Sequence, residues 1–163
     1  MVASEPVTTG VEGWTRTSKR VYPTAGLGYS YTYRSDAGNA SVTVYVYDRN
    51  NKAIPSDLTG LVAAEFTSAK QQVQSLVVDG TYKEAKYLAE DTVTLGDMKG
   101  SVKALHSAMT FKVNNVAMLS DTYVFARNNK FVKIRSMRRD GEDAMTKAPL
   151  ENLLAALDAG FRN

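Results

Sequence analysis

Three groups of side chains in this sequence have types and spacing suited to chemistry. The first centres on His106, the only histidine, with Asp121 and Tyr123. A histidine between a carboxylate and a phenol is a general acid–base centre, and such a centre would make the chain a hydrolase. The competing reading is a histidine hydrogen-bonded inside a sheet under a helix, and it is the favoured one. The second group is Lys133 and Arg135, with Lys103 and Arg139 beside them and the hydroxyls of Ser107 and Thr122 between. Cations sharing a face with hydroxyl donors form an anion site, and a guanidinium such as Arg135 grips a carboxylate or phosphate with two parallel bonds. The plainer alternative is that these chains snorkel past a helix and pair with Asp or Glu. The third group is Tyr29, Tyr31, Tyr33, Tyr45 and Tyr47. A tyrosine wall offers apolar area with a polar tip to a sugar, lipid or peptide, although aromatics in strands more often pack a two-sided sheet.

Which of these residues meet depends on Ser101–Arg139. The stretch reads as three antiparallel strands, Ser101–Val113, Val116–Arg127 and Lys130–Arg139, joined by Asn114-Asn115 and Asn128-Asn129. Asparagine tolerates positive φ, so each pair suits a two-residue hairpin turn. Such turns set the register, and register sets the faces. One face then carries Leu105–Val124–Lys133, Ser107–Thr122–Arg135, Met109–Ser120–Met137 and Phe111–Met118–Arg139 as cross-strand rows. The other carries Ala104–Phe125–Val132, His106–Tyr123–Ile134 and Ala108–Asp121–Ser136. His106 and Ser107 point to opposite faces, which excludes a Ser–His pair built from them. The alanine-rich second face is where a helix is expected to approach. The first, mixed face has room for partial cover.

Upstream, Met1–Gly10 reads as a loose arm, and Trp14, Val21 and Tyr22 are the first anchors, in a short strand or coil. Tyr29–Arg34 and Ala40–Asp48 alternate as strands. Pro55-Ser56-Asp57 opens a helix over Leu58–Val78, with Ser56 or Asp57 as N-cap and Gly80 as left-handed terminator. Tyr82–Leu95 is a long strand with a bend. Pro149 starts a last helix whose apolar stripe is Leu150, Leu153, Leu154, Leu157 and Phe161. The expected fold is α+β in a single domain over 1–163: an antiparallel sheet of about six strands between a long central helix and a C-terminal helix, an α/β/α sandwich.

Composition narrows the function. The chain has 163 residues, 44% hydrophobic and 23% charged, which suits an ordinary globular domain. A net charge of +3 is too weak for a nucleic-acid binder. With no cysteine, disulfides, Cys-ligated zinc, iron–sulfur clusters and thiol nucleophiles are excluded. The Asp36–Asn39 and Asp48–Asn51 turns lack calcium-loop spacing, and Gly26-Leu27-Gly28 lacks the third glycine of a dinucleotide loop, so neither metal nor cofactor is expected. No apolar run reaches the roughly 18 residues of a membrane span. Ala3–Thr9 after Met1-Val2 reads either as a start left by leader removal or as a native start with a loose arm.

Gly28-Tyr29-Ser30-Tyr31, Ser41–Tyr47, the helix from Leu58, Phe131–Arg135 and the helix from Leu150 together resemble the PsbP-like group in order and texture. That group is named for an extrinsic subunit of photosystem II. It includes a Ran-binding nuclear import factor and many bacterial exported proteins. The resemblance implies the sandwich fold and a non-enzymatic binding or accessory role, periplasmic or secreted, and it carries over no site residue. The function expected is thus a monomeric, non-catalytic domain that binds a protein or small ligand. The rivals are an anion- or lipid-binding module on Lys133, Arg135, Ser107, Thr122 and Lys103, and a hydrolase on His106 and Asp121.

Overall fold

A computed structural model describes residues 10–11, 13–36, 40–95 and 102–140. The strands are β1 (Gly10–Val11), β2 (Trp14–Val21), β3 (Tyr29–Ser35), β4 (Ala40–Tyr47), β5 (Lys83–Leu95), β6 (Val102–Val113), β7 (Val116–Arg127) and β8 (Lys130–Arg139). One helix among the described residues, α1 (Leu61–Val78), lies between β4 and β5. The strands form one antiparallel sheet in the order β1-β2-β3-β4-β8-β7-β6-β5.

The two asparagine pairs act as minimal turns. Asn114, Asn115, Asn128 and Asn129 have φ of 50, 65, 52 and 58°, the left-handed conformation that a type I′ turn demands at both central positions. Val113 faces Val116 and Arg127 faces Lys130, and the rows Leu105–Val124–Lys133 and Ser107–Thr122–Arg135 follow.

Among the described residues the sheet has eight strands rather than about six. Trp14–Val21 was open to a coil reading because it is polar. It pairs with β3 through its backbone and leaves most of its side chains in solvent. Gly10, expected in the loose arm, faces Thr15. The C-terminal helix expected from Pro149 lies outside the described residues. Helix α1 starts at Leu61, three residues later than expected, with Gly60 at its N-cap and no capping side chain. Asp57 instead accepts from the Thr59 backbone N–H and hydroxyl in the turn before it. Gly80 ends the helix at φ +85°.

The long helix packs on the mixed face, not the alanine-rich one. Val62, Phe66 and Ala69 of α1 meet Val124, Ala126, Phe131 and Tyr47, and Val73 meets Phe111 and Met109. The close approach comes from β7, whose side chains on this face include Ser120, Thr122, Val124 and Ala126. Short hydroxyl residues admit a helix as alanine does. The opposite face is a second core of Tyr31, Tyr33, Val42, Val44, Phe125, Val132 and Ile134. At the far edge, register shifts between Lys83 and Lys86 and between Tyr87 and Ala89 bend β5.

A cationic, tyrosine-lined pocket

Strand alternation sends Tyr45 and Tyr47 of β4 and Lys133 of β8 to the helix face. Tyr45 is the direct cross-strand partner of Lys133. These three, with Gln72 of α1 and Arg49 after β4, line a hollow of about 180 Å³ that Tyr22 and Leu27 rim from the β2–β3 loop. Two glycines seat this loop. Gly28 has φ +59°, and a Cβ there would lie 1.9 Å from the Val46 carbonyl oxygen. Gly26 has φ +85° and accepts from the Arg49 backbone N–H at 2.8 Å. The Tyr22 N–H closes the loop by donating to Gly28 O at 3.0 Å.

The pocket's charges do not cancel. The Arg49 guanidinium binds buried Glu65 with two bonds, Nε to Oε2 at 2.7 Å and Nη2 to Oε1 at 2.9 Å. The Tyr47 hydroxyl donates to Glu65 Oε1 at 2.7 Å. Burial, and then the adjacent carboxylate, push the Tyr47 phenol far above its ordinary range, so it remains a neutral donor. Glu65 therefore has both oxygens engaged. Lys133 has no carboxylate within ion-pair distance among the described residues. Its ammonium lies 4.6 Å from the Tyr45 ring centroid and 5.8 Å from that of Tyr47. Its one hydrogen bond among the described residues, to Gln72 Oε1, is long at 3.3 Å. Burial lowers the Lys133 pKa below the usual lysine range, and the Glu65 charge only partly opposes this.

Of the other cationic-row residues, Arg135 is not part of the lining and sits between Thr43 and Thr122 in the sheet. Its Nη2 donates to the Tyr82 hydroxyl at 2.5 Å, and its Nε is buried without a hydrogen-bond partner among the described residues. Tyr82 is held in turn by stacking on Phe111, with centroids 3.8 Å apart. Thr122, opposite Arg135, is buried, and Ser107, opposite Thr122, is partly so. Lys103 is exposed on β6 beside Thr94. Arg139 lines a separate open hollow with Arg34, Met118 and Met137. Only Lys133 of the five expected ligand residues lines the tyrosine pocket. Tyr22, Leu27 and Gln72 went unremarked as site residues in the sequence. They come from two separate segments, the β2–β3 loop and α1, and no local pattern in the sequence joins them to Lys133.

The tyrosines divide between faces. Tyr31 and Tyr33 are in the core opposite the helix, with Tyr29 packed against it, while Tyr45 and Tyr47 face the pocket.

His106 is on the other side of the sheet and is sealed by carboxylates. Its Nδ1 lies 2.6 Å from Asp91 Oδ1, and its Nε2 lies 2.6 Å from Asp121 Oδ1. Ionised carboxylates only accept, so between two of them both ring nitrogens donate when the ring is an imidazolium. Burial pulls the His106 pKa down, but the hydrogen bonds to Asp121 and Asp91 outweigh it, and the net shift is upward. Asp121 is held on its far side by Arg138 Nη1 at 3.0 Å. The His106 ring stacks on Tyr123 at 4.7 Å, and the residue is only 9% exposed. Neither nitrogen is left to take a substrate proton.

Among the described residues, no group of three or more His, Cys, Asp or Glu side chains is placed to hold a metal ion. No helix among them is long and apolar enough to cross a membrane.

No protein-family model matches the chain, and no curated protein matches it significantly. Solved structures do. The chain is similar to cyanobacterial PsbP (CyanoP) from Synechocystis sp. PCC 6803, at 12% identity and TM-score 0.52 over 89% of this chain and 80% of that one. It is also similar to PA94, a Pseudomonas aeruginosa protein of unknown function, at 8% identity and TM-score 0.44 over 86% and 81%. A third likeness is to the Saccharomyces cerevisiae Ran-binding protein Mog1p, at 14% identity and TM-score 0.40 over 82% and 72%. At these identities the likeness speaks for architecture alone: the chain has a PsbP-like fold.

Proposed function

We propose that this chain is a non-catalytic binding domain and that the tyrosine pocket around Lys133 is its ligand seat. One observation carries the reading. A partly buried ammonium faces two aromatic rings and, among the described residues, has a single long hydrogen bond and no carboxylate within ion-pair distance. A desolvated cation is costly unless paired, so an incoming anion gains what the protein does not supply. Arg135, also without an ion-pair partner among the described residues, adds positive potential at Lys133. Of the wider row, Arg135 acts on this seat through its charge, and Ser107, Thr122 and Lys103 lie outside the lining.

The hydrolase alternative loses support from the His106 environment, because both nitrogens are occupied by carboxylates. The PsbP-like fold favours an accessory role, and a protein partner carrying an acidic side chain would use the same seat. A periplasmic or secreted setting and a monomeric state belong to this reading, and cell fractionation and sedimentation check them.

The test is thermal unfolding of the purified protein at low ionic strength with acetate, benzoate or phosphate. A ligand at 100 times its Kd stabilises by about 2.7 kcal/mol. The expected result is a rise in midpoint with at least one anion, weakened by salt and absent in Lys133→Ala. No shift with any anion contradicts the assignment of the seat. Turnover of esters or phosphodiesters at enzyme-like rates contradicts the non-catalytic reading.

A further inference from the structure

The pocket also limits which anion it suits, and this inference rests on the binding reading above. Its volume of about 180 Å³ is small. An apolar cavity of about 150 Å³ holds benzene. The hollow itself has room for one ring with a short acidic group, and a larger ligand would extend from its open mouth into solvent.

The walls are Tyr22, Tyr45, Tyr47 and Leu27, flat or aliphatic surfaces suited to an aromatic body. Two of the three hydroxyls are already engaged. That of Tyr47 is bonded to Glu65, and that of Tyr22 is bonded to Ser30 at 3.1 Å. The Tyr45 hydroxyl makes no hydrogen bond with the described residues and is available to a ligand.

The charge is single. Arg49 is neutralised by Glu65, which leaves one ammonium, that of Lys133, facing the hollow. An ammonium has three donor hydrogens, and one points to Gln72. Two remain, matching the two oxygens of a carboxylate. The Gln72 side-chain oxygen is turned to Lys133, so its NH₂ is left to donate to the same ligand. A phosphate dianion would ask for more donors and a second cation. The start of α1 at Leu61 is not part of the lining, so no row of helix N-terminal N–H groups is at hand.

We infer that the pocket takes a small aromatic monocarboxylate, its carboxylate on Lys133 and Gln72 and its ring between Tyr22, Leu27 and Tyr45.

Calorimetric titration of the folded protein with phenylacetate, phenylacetamide, acetate and inorganic phosphate tests this. Phenylacetate is expected to bind at least about tenfold more tightly than each of the others, a factor worth about 1.4 kcal/mol. Lys133→Met keeps the stem's apolar bulk and removes the charge, and is expected to abolish the preference for acid over amide. Should that variant fail to fold, Gln72→Ala, on the solvent side of α1, is expected to weaken phenylacetate while sparing the thermal midpoint. Tighter binding of phosphate than phenylacetate overturns the ligand class but leaves the anion seat standing. Equal binding of acid and amide overturns the role given to Lys133. Absence of binding by phenylacetate and phosphate alike removes both the inference and the reading beneath it.

Discussion

Lys133 and Tyr45 are direct cross-strand partners, and the lysine ammonium lies 4.6 Å from the centre of the tyrosine ring. A direct pair brings side chains within reach, and a cation over a ring gains about 0.5 to 2 kcal/mol as it loses water. Tyr45→Leu removes the ring and keeps apolar area. It is expected to destabilise by about 1 kcal/mol in chemical denaturation, and to weaken anion binding in the same preparation.

Binding should depend on alkaline pH. Burial holds the Lys133 pKa below its ordinary value of 10.5, so the ammonium discharges earlier than a free lysine. The bound anion needs the charged form. Affinity is therefore constant around neutrality and falls as pH rises through the lowered pKa. Lys133→Arg does not titrate in this range, so its affinity should stay flat where the wild type declines. Parallel pH profiles for the two proteins would contradict the role of the ammonium.

His106 makes the opposite contribution to stability. Its folded pKa lies above the unfolded value near 6.5, so the native state holds its proton more tightly. The stabilisation is complete below the unfolded pKa and is lost as pH rises through the folded one. Denaturation between pH 6 and 9 should show stability declining, and His106→Gln should flatten that slope. The substitution should also cost about 2 kcal/mol at pH 6, because Asp121 loses a charged partner in a buried network.

Gly28→Ala tests the rim. The glycine sits at φ +59° with the Val46 carbonyl in the space a Cβ would take, so the loop must move. A left-handed alanine alone costs about 1 to 2 kcal/mol, and the backbone clash adds to it. Loss of stability is expected together with loss of anion binding, because Tyr22 and Leu27 ride on the same loop. Retained binding would mean that the rim does not contribute.

The hairpin turns are testable separately from the site. Asn115 has φ 65° and its side chain is exposed. Asn115→Gly should be neutral or stabilising, whereas Asn115→Ala should cost about 1 kcal/mol. Equal effects in urea denaturation would argue against the two-residue turn.

These turns are also why much of the sheet was legible in the sequence. Four asparagines set the pairing of β6, β7 and β8, and pairing alone assigns every side chain to a face. The side taken by α1 was harder to read. Alanines on the Ala104 face looked like the approach surface, but Ser120 and Thr122 on the other face are as short, and Phe111 and Leu105 there supply apolar contact. The early strand β2 was obscured because it pairs through its backbone with most side chains in solvent, which needs no alternation. The pocket was legible only at Lys133 and the two tyrosines of β4. Leu27 and Tyr22 arrive by a loop whose course depends on the close approach of Gly28 to Val46, which no local pattern encodes. Gln72 belongs to the polar side of α1, and its proximity to Lys133 follows from helix placement rather than spacing.

The most direct measurement is NMR of the Lys133 side chain, with ¹³Cε and ¹⁵Nζ followed through a phenylacetate titration. If the pocket is the seat, Lys133 shifts with the largest amplitude and saturates together with the Tyr45 and Gln72 side-chain signals. If Lys133 stays in place while phenylacetate perturbs residues elsewhere, the ligand sits on another surface and the account fails.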